Sequence, residues 1–276
     1  MEVETMKDIL KKVISELKSE KDGYCRIKHK KGWLEFLDDG DLIFKPSELH
    51  QILRKVINEF PPNGARLLYQ RKRDKFTVTV EKKAYRPEEA LERFITASNP
   101  GKYFNQIPIG GKKESIDMGI EENESRFVFI ELKPWSSTNS PLYAIVESLK
   151  NLIEYRIIHE NNIKHHESCK HYNEVNLMIL APQSYYSDYG LIDTSENRIK
   201  IFKKALNDFS CEFHTNIALM ALTLKEEDFF DKLRRICEVQ NIDKQQMITI
   251  SPSDAIPELA RDRWTLLASS DLESYT

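Results

Sequence analysis

The sequence has little that would place it outside the ordinary globular proteins. Its four cysteines, Cys25, Cys169, Cys211 and Cys237, stand far apart with no CxxC pair, so neither a disulfide framework nor a paired-cysteine metal knuckle is expected, and reduced thiols are. There is no run of eighteen apolar residues, so no membrane-spanning helix is expected. The first twenty residues, MEVETMKDILKKVISELKSE, are amphipathic and charged throughout, unlike a secretory signal, so the expected compartment is the cytoplasm. No internal repeat or low-complexity segment occurs. The net charge is only −3, and by itself it points to no class of partner.

The distribution of charge says more. Residues 1–86 hold 20 Lys+Arg against 14 Asp+Glu, whereas the rest of the chain holds 21 against 30. A basic front and an acidic back suit a polyanion for the one and a metal site for the other, or simply two solvated faces.

Periodicity divides the chain. Apolar residues at helical spacing predict a helix over 6–19, followed by short strands at YCRIKH and GWLEFL and a turn at Asp38-Asp39-Gly40. Ser47 is expected to cap a second helix that Pro61-Pro62 stop. ARLLYQ and KFTVTVEKK read as a β-hairpin. Residues 1–84 thus form a small α+β module for substrate or partner contacts, or an elaboration packed on the main sheet. From Pro87 the expected order is a helix, a Gly-rich loop at 109–111, strands at 115–120 and 127–133, a helix at 141–160, and a strand at VNLMILAP. A helix at 195–208, a strand at IALMALTL and a helix at 225–239 follow. That is an α/β fold with an α-β-β-α-β-α-β core over 85–250, a mixed central sheet, and a C-terminal extension, 251–276, suited to docking.

The chemistry concentrates in two neighbouring strands. In FVFIELK, Glu131 and Lys133 share a face because side chains alternate along a strand. If 115–120 pairs antiparallel with it across a short 122–126 loop, Asp117 lies opposite Glu131. Two carboxylates so close need a hard cation, and Mg²⁺ is held by one or two carboxylates with water and substrate phosphate. A lysine beside them can hold a water and offset charge on the phosphate. An ordinary half-buried strand with a solvated face is the plain alternative.

IDMGI (116–120) and VFIELKPW (128–135), preceded by EEALERFI and followed by a long helix, resemble the PD-(D/E)XK nucleases. The resemblance covers about residues 87–224, half of the chain; Ile116 stands where the family name has proline. It implies a restriction-endonuclease-like fold and a Mg²⁺- or Mn²⁺-dependent phosphodiesterase acting on nucleic acid, DNA rather than RNA, in restriction, repair or phage defence. Asp117, Glu131 and the Leu132 carbonyl are then metal ligands and Lys133 supports the attacking water. A glutamate of the first helix reaches the site as well, with Glu88 chosen over Glu89 and Glu92. The alternative is a catalytically inactive subunit of the same fold that binds nucleic acid or assembles with a protein partner or a second copy.

Lys30, Lys31, Arg71 and Arg73, near Trp33 and Phe76, are candidates to track a nucleic-acid backbone with aromatic stacking. Lys102, Lys112 and Lys113 could neutralise phosphates near the Asp117 strand. Tyr143 and Lys150, seven residues apart, share one face of the long helix. His159, His165, His166, Cys169 and His171 crowd one stretch, but their spacing matches no zinc module, and a polar loop explains them better.

Overall fold

The computed structural model describes residues 28–40, 44–59, 76–81, 84–85, 87–99, 101–109, 115–160, 172–192, 194–240 and 246–270. The elements, in chain order, are α1 (Lys30–Asp39), α2 (Pro46–Glu59), β1 (Phe76–Glu81), β2 (Ala84–Tyr85), α3 (Pro87–Ser98), β3 (Tyr103–Pro108), β4 (Ser115–Glu121) and β5 (Arg126–Leu132). They continue with α4 (Pro141–Glu160), β6 (Glu174–Pro182), α5 (Gln183–Asp188), α6 (Glu196–Phe213), β7 (Ile217–Leu222), α7 (Glu226–Val239), β8 (Gln246–Ile250) and β9 (Thr265–Ser269). The fold is α/β. Among the described residues no helix is long and apolar enough to cross a membrane.

Six strands form an open mixed sheet in the order β3-β4-β5-β6-β7-β9. The β5–β6–β7 centre is parallel, while β3–β4–β5 and β7–β9 are antiparallel. A three-stranded sheet, β2-β1-β8, stands apart. One face of the main sheet is covered by α1, α2, α4, α5 and α6, the other by α3, α7 and the turns before β9. Sixteen of the twenty residues of α4 are buried, so this helix is enclosed on nearly all sides by the sheet and its neighbours.

Two differences from the sequence reading concern the front of the chain. GWLEFL is not a strand. Trp33, Phe36 and Leu37 fall at i, i+3 and i+4 and bury one face of α1 in the main core, which overrides their apparent alternation. The Asp-Asp-Gly turn is the end of that helix: Gly40 has φ +79° and its N–H donates to the Phe36 carbonyl. α1 and α2 share their core with α4 and α6. The helix over 6–19 and the strands at 24–29 and 65–70 fall largely or wholly outside the described residues, and the described partners of β1 are β2 and β8. α2 starts at Pro46, ahead of the expected Ser47 cap, and Glu48 accepts the Lys45 N–H.

Further differences are added elements. β3, the short helix α5 and β8 occupy stretches to which the sequence reading gave no element, and β9, from the expected extension, forms the far edge of the sheet. Elsewhere the elements agree closely: α4 spans 141–160, and α6 begins where Ser195 accepts the Arg198 N–H.

Gly119 shows how tightly β4 is packed. A Cβ there would lie 2.4 Å from Phe127 Cε1 and 2.5 Å from Ile107 Cδ1. Gly119→Ala is therefore expected to lower stability by about 1–3 kcal/mol, as overpacking does. Urea unfolding of the variant checks this; an unchanged midpoint would mean that the two side chains move aside freely.

Candidate active site

β4 and β5 are joined by residues 122–125, where the Asn123 carboxamide oxygen accepts the Ser125 and Arg126 N–H groups, both at 2.9 Å. This tight turn sets the register Glu121↔Phe127 to Met118↔Ile130. One step further would pair Asp117 with Glu131, but the ladder stops there. In place of the next rung, the Leu132 N–H donates to Asp117 Oδ2 at 2.8 Å. The Lys133 N–H, pointing the other way, donates to the Leu180 carbonyl of β6 at 3.0 Å. Alternation of backbone groups then directs the Leu132 carbonyl to the side where the ladder has ended.

The opening lies beside an irregularity on β3. Gln106 adopts φ +46°, and the β3–β4 register omits the Gln106/Asp117 pair while keeping its neighbours. Ile116 packs in the core on the α4 side and Met118 in the core on the α3 side, so side-chain parity breaks at Asp117.

Glu131 and Lys133 are 6% and 4% exposed, so neither lies on a solvated face. The Lys133 ammonium donates to Glu131 and, at 3.0 Å, to Glu147 Oε2 of α4. Burial alone would lower the Lys133 pKa, but Glu131, Glu147, Asp117 and Glu88 together hold it well above the usual lysine range. Burial pushes Glu131 well above the carboxylate range, with Glu147 and Asp117 adding to the shift and Lys133 opposing it. Asp117 is raised in the same way, first by burial and then by Glu88. Burial would raise Glu147 too, but Lys133 and a hydrogen bond shared with Glu131 more than offset it, leaving this carboxyl below its ordinary range. Glu88, exposed at the start of α3, is raised by the surrounding protein, with Lys133 opposing and Glu147 adding. Asp117, Glu131, Lys133 and Glu88 thus lie within electrostatic reach of one another, and Glu147 joins them.

Glu147 was not singled out in the sequence. It lies four residues after Tyr143 and three before Lys150, on the face those two define, so the same spacing would have found it. Tyr143 itself is buried, with the Lys28 ammonium 5.7 Å from its ring centre. Lys150 is fully enclosed and paired with Glu154 at 2.8 Å, behind the cluster.

Glu92, also on α3, is buried, and burial raises its pKa to about 7, with Arg93 and Gln106 opposing. A carboxyl raised from about 4.5 destabilises the fold progressively as pH rises from 4.5 through 7, by about 3 kcal/mol in full. Glu92→Gln removes that penalty. The variant should match wild type near pH 4 and exceed it by up to about 3 kcal/mol at pH 8, measured by urea unfolding at both values. A gain equal at both would place the effect in packing instead.

Other candidates fall elsewhere. Trp33 is fully buried, packed edge-on to Phe202, with its N–H given to the Tyr189 carbonyl, and so offers no stacking surface. Lys30 and Lys31 are exposed on α1, and Lys31 lies 4.0 Å from Glu35. Lys102 is exposed just before β3, and Glu89 lies 3.8 Å from Arg93. Arg71, Arg73, Lys112, Lys113, His165, His166, Cys169 and His171 lie outside the described residues, and the Phe76 side chain is not described. His159 packs its ring against Tyr155.

Among the described residues no group of three or more His, Cys, Asp or Glu converges on a single metal position. Asp117 and Glu131 supply two carboxylates, which with an open backbone carbonyl is a donor set that Mg²⁺ accepts, since it commonly keeps waters and takes the rest from phosphate. A metal bound there would need water or substrate phosphate for its remaining ligands. Comparison with family models, with curated proteins and with solved structures found no match.

Proposed function

We propose that the protein is a Mg²⁺- or Mn²⁺-dependent nuclease with a restriction-endonuclease-like core, cleaving phosphodiester bonds of DNA rather than RNA. One observation carries the reading: four acids, Glu88, Asp117, Glu131 and Glu147, gather around Lys133 where the β4–β5 ladder opens at the end of a central strand. A fold spends stability on such a cluster, because buried like charges repel, and clusters of perturbed acids mark functional sites.

Asp117 and Glu131, with the Leu132 carbonyl, would hold the metal. When bound, it draws charge from the phosphate and lowers the pKa of a water. Lys133 orients the attacking water and offsets charge that develops on the phosphate oxygens. Glu147 holds the Lys133 ammonium in place, and Glu88 sits at the rim to order water.

A second reading is a non-catalytic nucleic-acid-binding or assembly subunit. It is favoured by the direct pairing of Lys133 with Glu131 and Glu147, which partly neutralises the acids without a metal. Incubation with single-stranded, duplex and nicked DNA and with RNA, in Mg²⁺, Mn²⁺ or EDTA, separates the two. Binding without metal-dependent cleavage on any substrate would leave only the second.

A further inference from the structure

We infer that Gln106, facing Asp117 across the β3–β4 pair, binds substrate: its carboxamide N–H donates to a backbone phosphate of the strand at the Lys133 site. The inference deepens the nuclease reading and rests on it for what brings a strand there.

β3 and β4 share a distortion. On β3, Phe104 packs in the core on the α4 side, and Asn105 turns to α3, where the Thr96 hydroxyl donates to its Oδ1 at 2.9 Å. Regular alternation would return Ile107 to the α3 side, yet it packs on the α4 side with Ile116. Side-chain parity thus breaks on β3 at Gln106, as it breaks on β4 at Asp117. These two residues face each other across the rung that the register omits. Facing residues of paired strands have Cα atoms about 4.5–5.5 Å apart, so Gln106 starts within a side chain's reach of the Asp117 carboxylate.

Gln106 is also strained. Among the described residues only Gln106 and His214 have positive φ without being glycine. His214 ends α6 as its left-handed cap, where that conformation closes a helix. Gln106 stands inside a strand at φ +46°, which costs stability for a residue with a long side chain. Strain held in this way gathers at functional sites.

The strained backbone presents an open side chain. Gln106 is exposed between two enclosed neighbours, Asn105 and Ile107. Its Nε2 donates to Glu92 Oε2 at 3.4 Å, and Arg93 holds Glu92 Oε1 at 2.9 Å. A buried acid thus orients the amide. The amide nitrogen carries two N–H groups, so one remains to donate when Glu92 takes the other. A phosphate oxygen accepts such a bond, and phosphates are what a hydrolytic site brings closest to its acids. A neutral donor contributes there without adding charge to the cluster.

Full-length protein in EDTA is titrated with labelled duplex and single-stranded DNA, and anisotropy gives the affinity across a range of salt. Gln106→Gly relieves the backbone and removes the amide. At a Tm no lower than that of wild type, it should bind about three- to tenfold more weakly, the scale of one hydrogen bond. The loss should be equal on unrelated sequences, because a phosphate contact carries no sequence information, and the salt slope should stay as it is. Gln106→Lys keeps a donor and adds a charge. It should restore affinity and steepen the slope of log K against log salt by about 0.7 on a single strand and about 0.9 on a duplex. Wild-type affinity in Gln106→Gly would overturn the inference. So would a loss confined to one sequence, or equal slopes in wild type and Gln106→Lys. DNA that binds in neither form counts against the inference and the nuclease reading together. Equal slopes beside cleavage by the Mn²⁺-loaded wild type sink the inference alone. A steepened slope with no substrate cut supports the phosphate contact and counts against the nuclease reading alone.

Discussion

Replacing Lys133 with alanine is expected to cost both stability and cleavage, and it is the most damaging single change at the site. The ammonium bonds Glu131 and Glu147, and all three side chains are largely enclosed. Removing it leaves two carboxylates without their counter-charge, a loss of about 3–5 kcal/mol when one partner of a buried pair is deleted. The sign with pH follows from the shifts. The folded-state pKa of Lys133 is raised, so its contribution is fully present below about 10.5 and lost only as pH rises through the higher folded value. In the variant the acids lose their cation, so Glu131 is pushed further up and Glu147 loses what held it down. They protonate readily in acid, so the deficit against wild type is smallest near pH 4 and grows toward neutrality.

Cleavage by Lys133→Ala, compared with wild type under conditions where both are verified to be folded, should fall by about 10²–10³-fold, the effect of removing one charge-stabilising group from a preorganised site. Divalent metal should still bind and should restore part of the lost stability. Calorimetry across pH, with and without Mn²⁺, reads the stability arm, and single-turnover cleavage reads the other. Equal rates in the two proteins would make ELK an ordinary strand ending.

Glu131→Gln separates metal binding from the structural role of the cluster. The substitution keeps shape and hydrogen-bonding capacity but removes a ligand charge, and Lys133 retains Glu147 as partner. The metal-free variant should therefore be at least as stable as wild type, because a buried carboxyl held above its normal range is no longer present to ionise. Wild type should gain about 2.7 kcal/mol from Mn²⁺ at a hundred times its Kd. In a protein of this size that is roughly 5–10 °C in Tm. Glu131→Gln should lose that gain, and cleavage should drop by roughly 10²-fold or more. Persistence of the full thermal shift would show that the cation sits elsewhere, and the assignment of Asp117 and Glu131 as ligands would go with it.

Where the sequence reading and the structure differ, the reason is one of range. α4 and α6 were legible because their signals are local: apolar residues at helical spacing, Pro141 at the first position, and a serine one residue ahead of α6. The β4–β5 hairpin was legible for the same reason, since a short polar turn leaves few registers, and its pairing falls one step short of setting Asp117 against Glu131. α1 was misread because six residues of mixed apolar character satisfy both periods, and the decision came from partners far along the chain, such as Phe202 packed on Trp33. β8 and β9 carried no signal of their own; each becomes a strand by pairing with one distant in sequence, β1 and β7 respectively.

The site divides along the same line. Residue types and spacing by themselves determined that Asp117, Glu131 and Lys133 belong to adjacent strands, because a strand's period of two and a short turn suffice for that. The resemblance also pointed to Glu88 of α3; only the tertiary structure added Glu147 from α4, on the other side of the sheet. It also decided that the cluster is buried. Burial raises the pKa of Glu131 and Asp117 and makes Lys133 their necessary counter-charge, and beside them the ladder opens so that the Leu132 N–H meets the Asp117 carboxylate. A carboxylate's spacing is written in the chain, but its desolvation depends on which distant elements close over it, and that is a property of the fold.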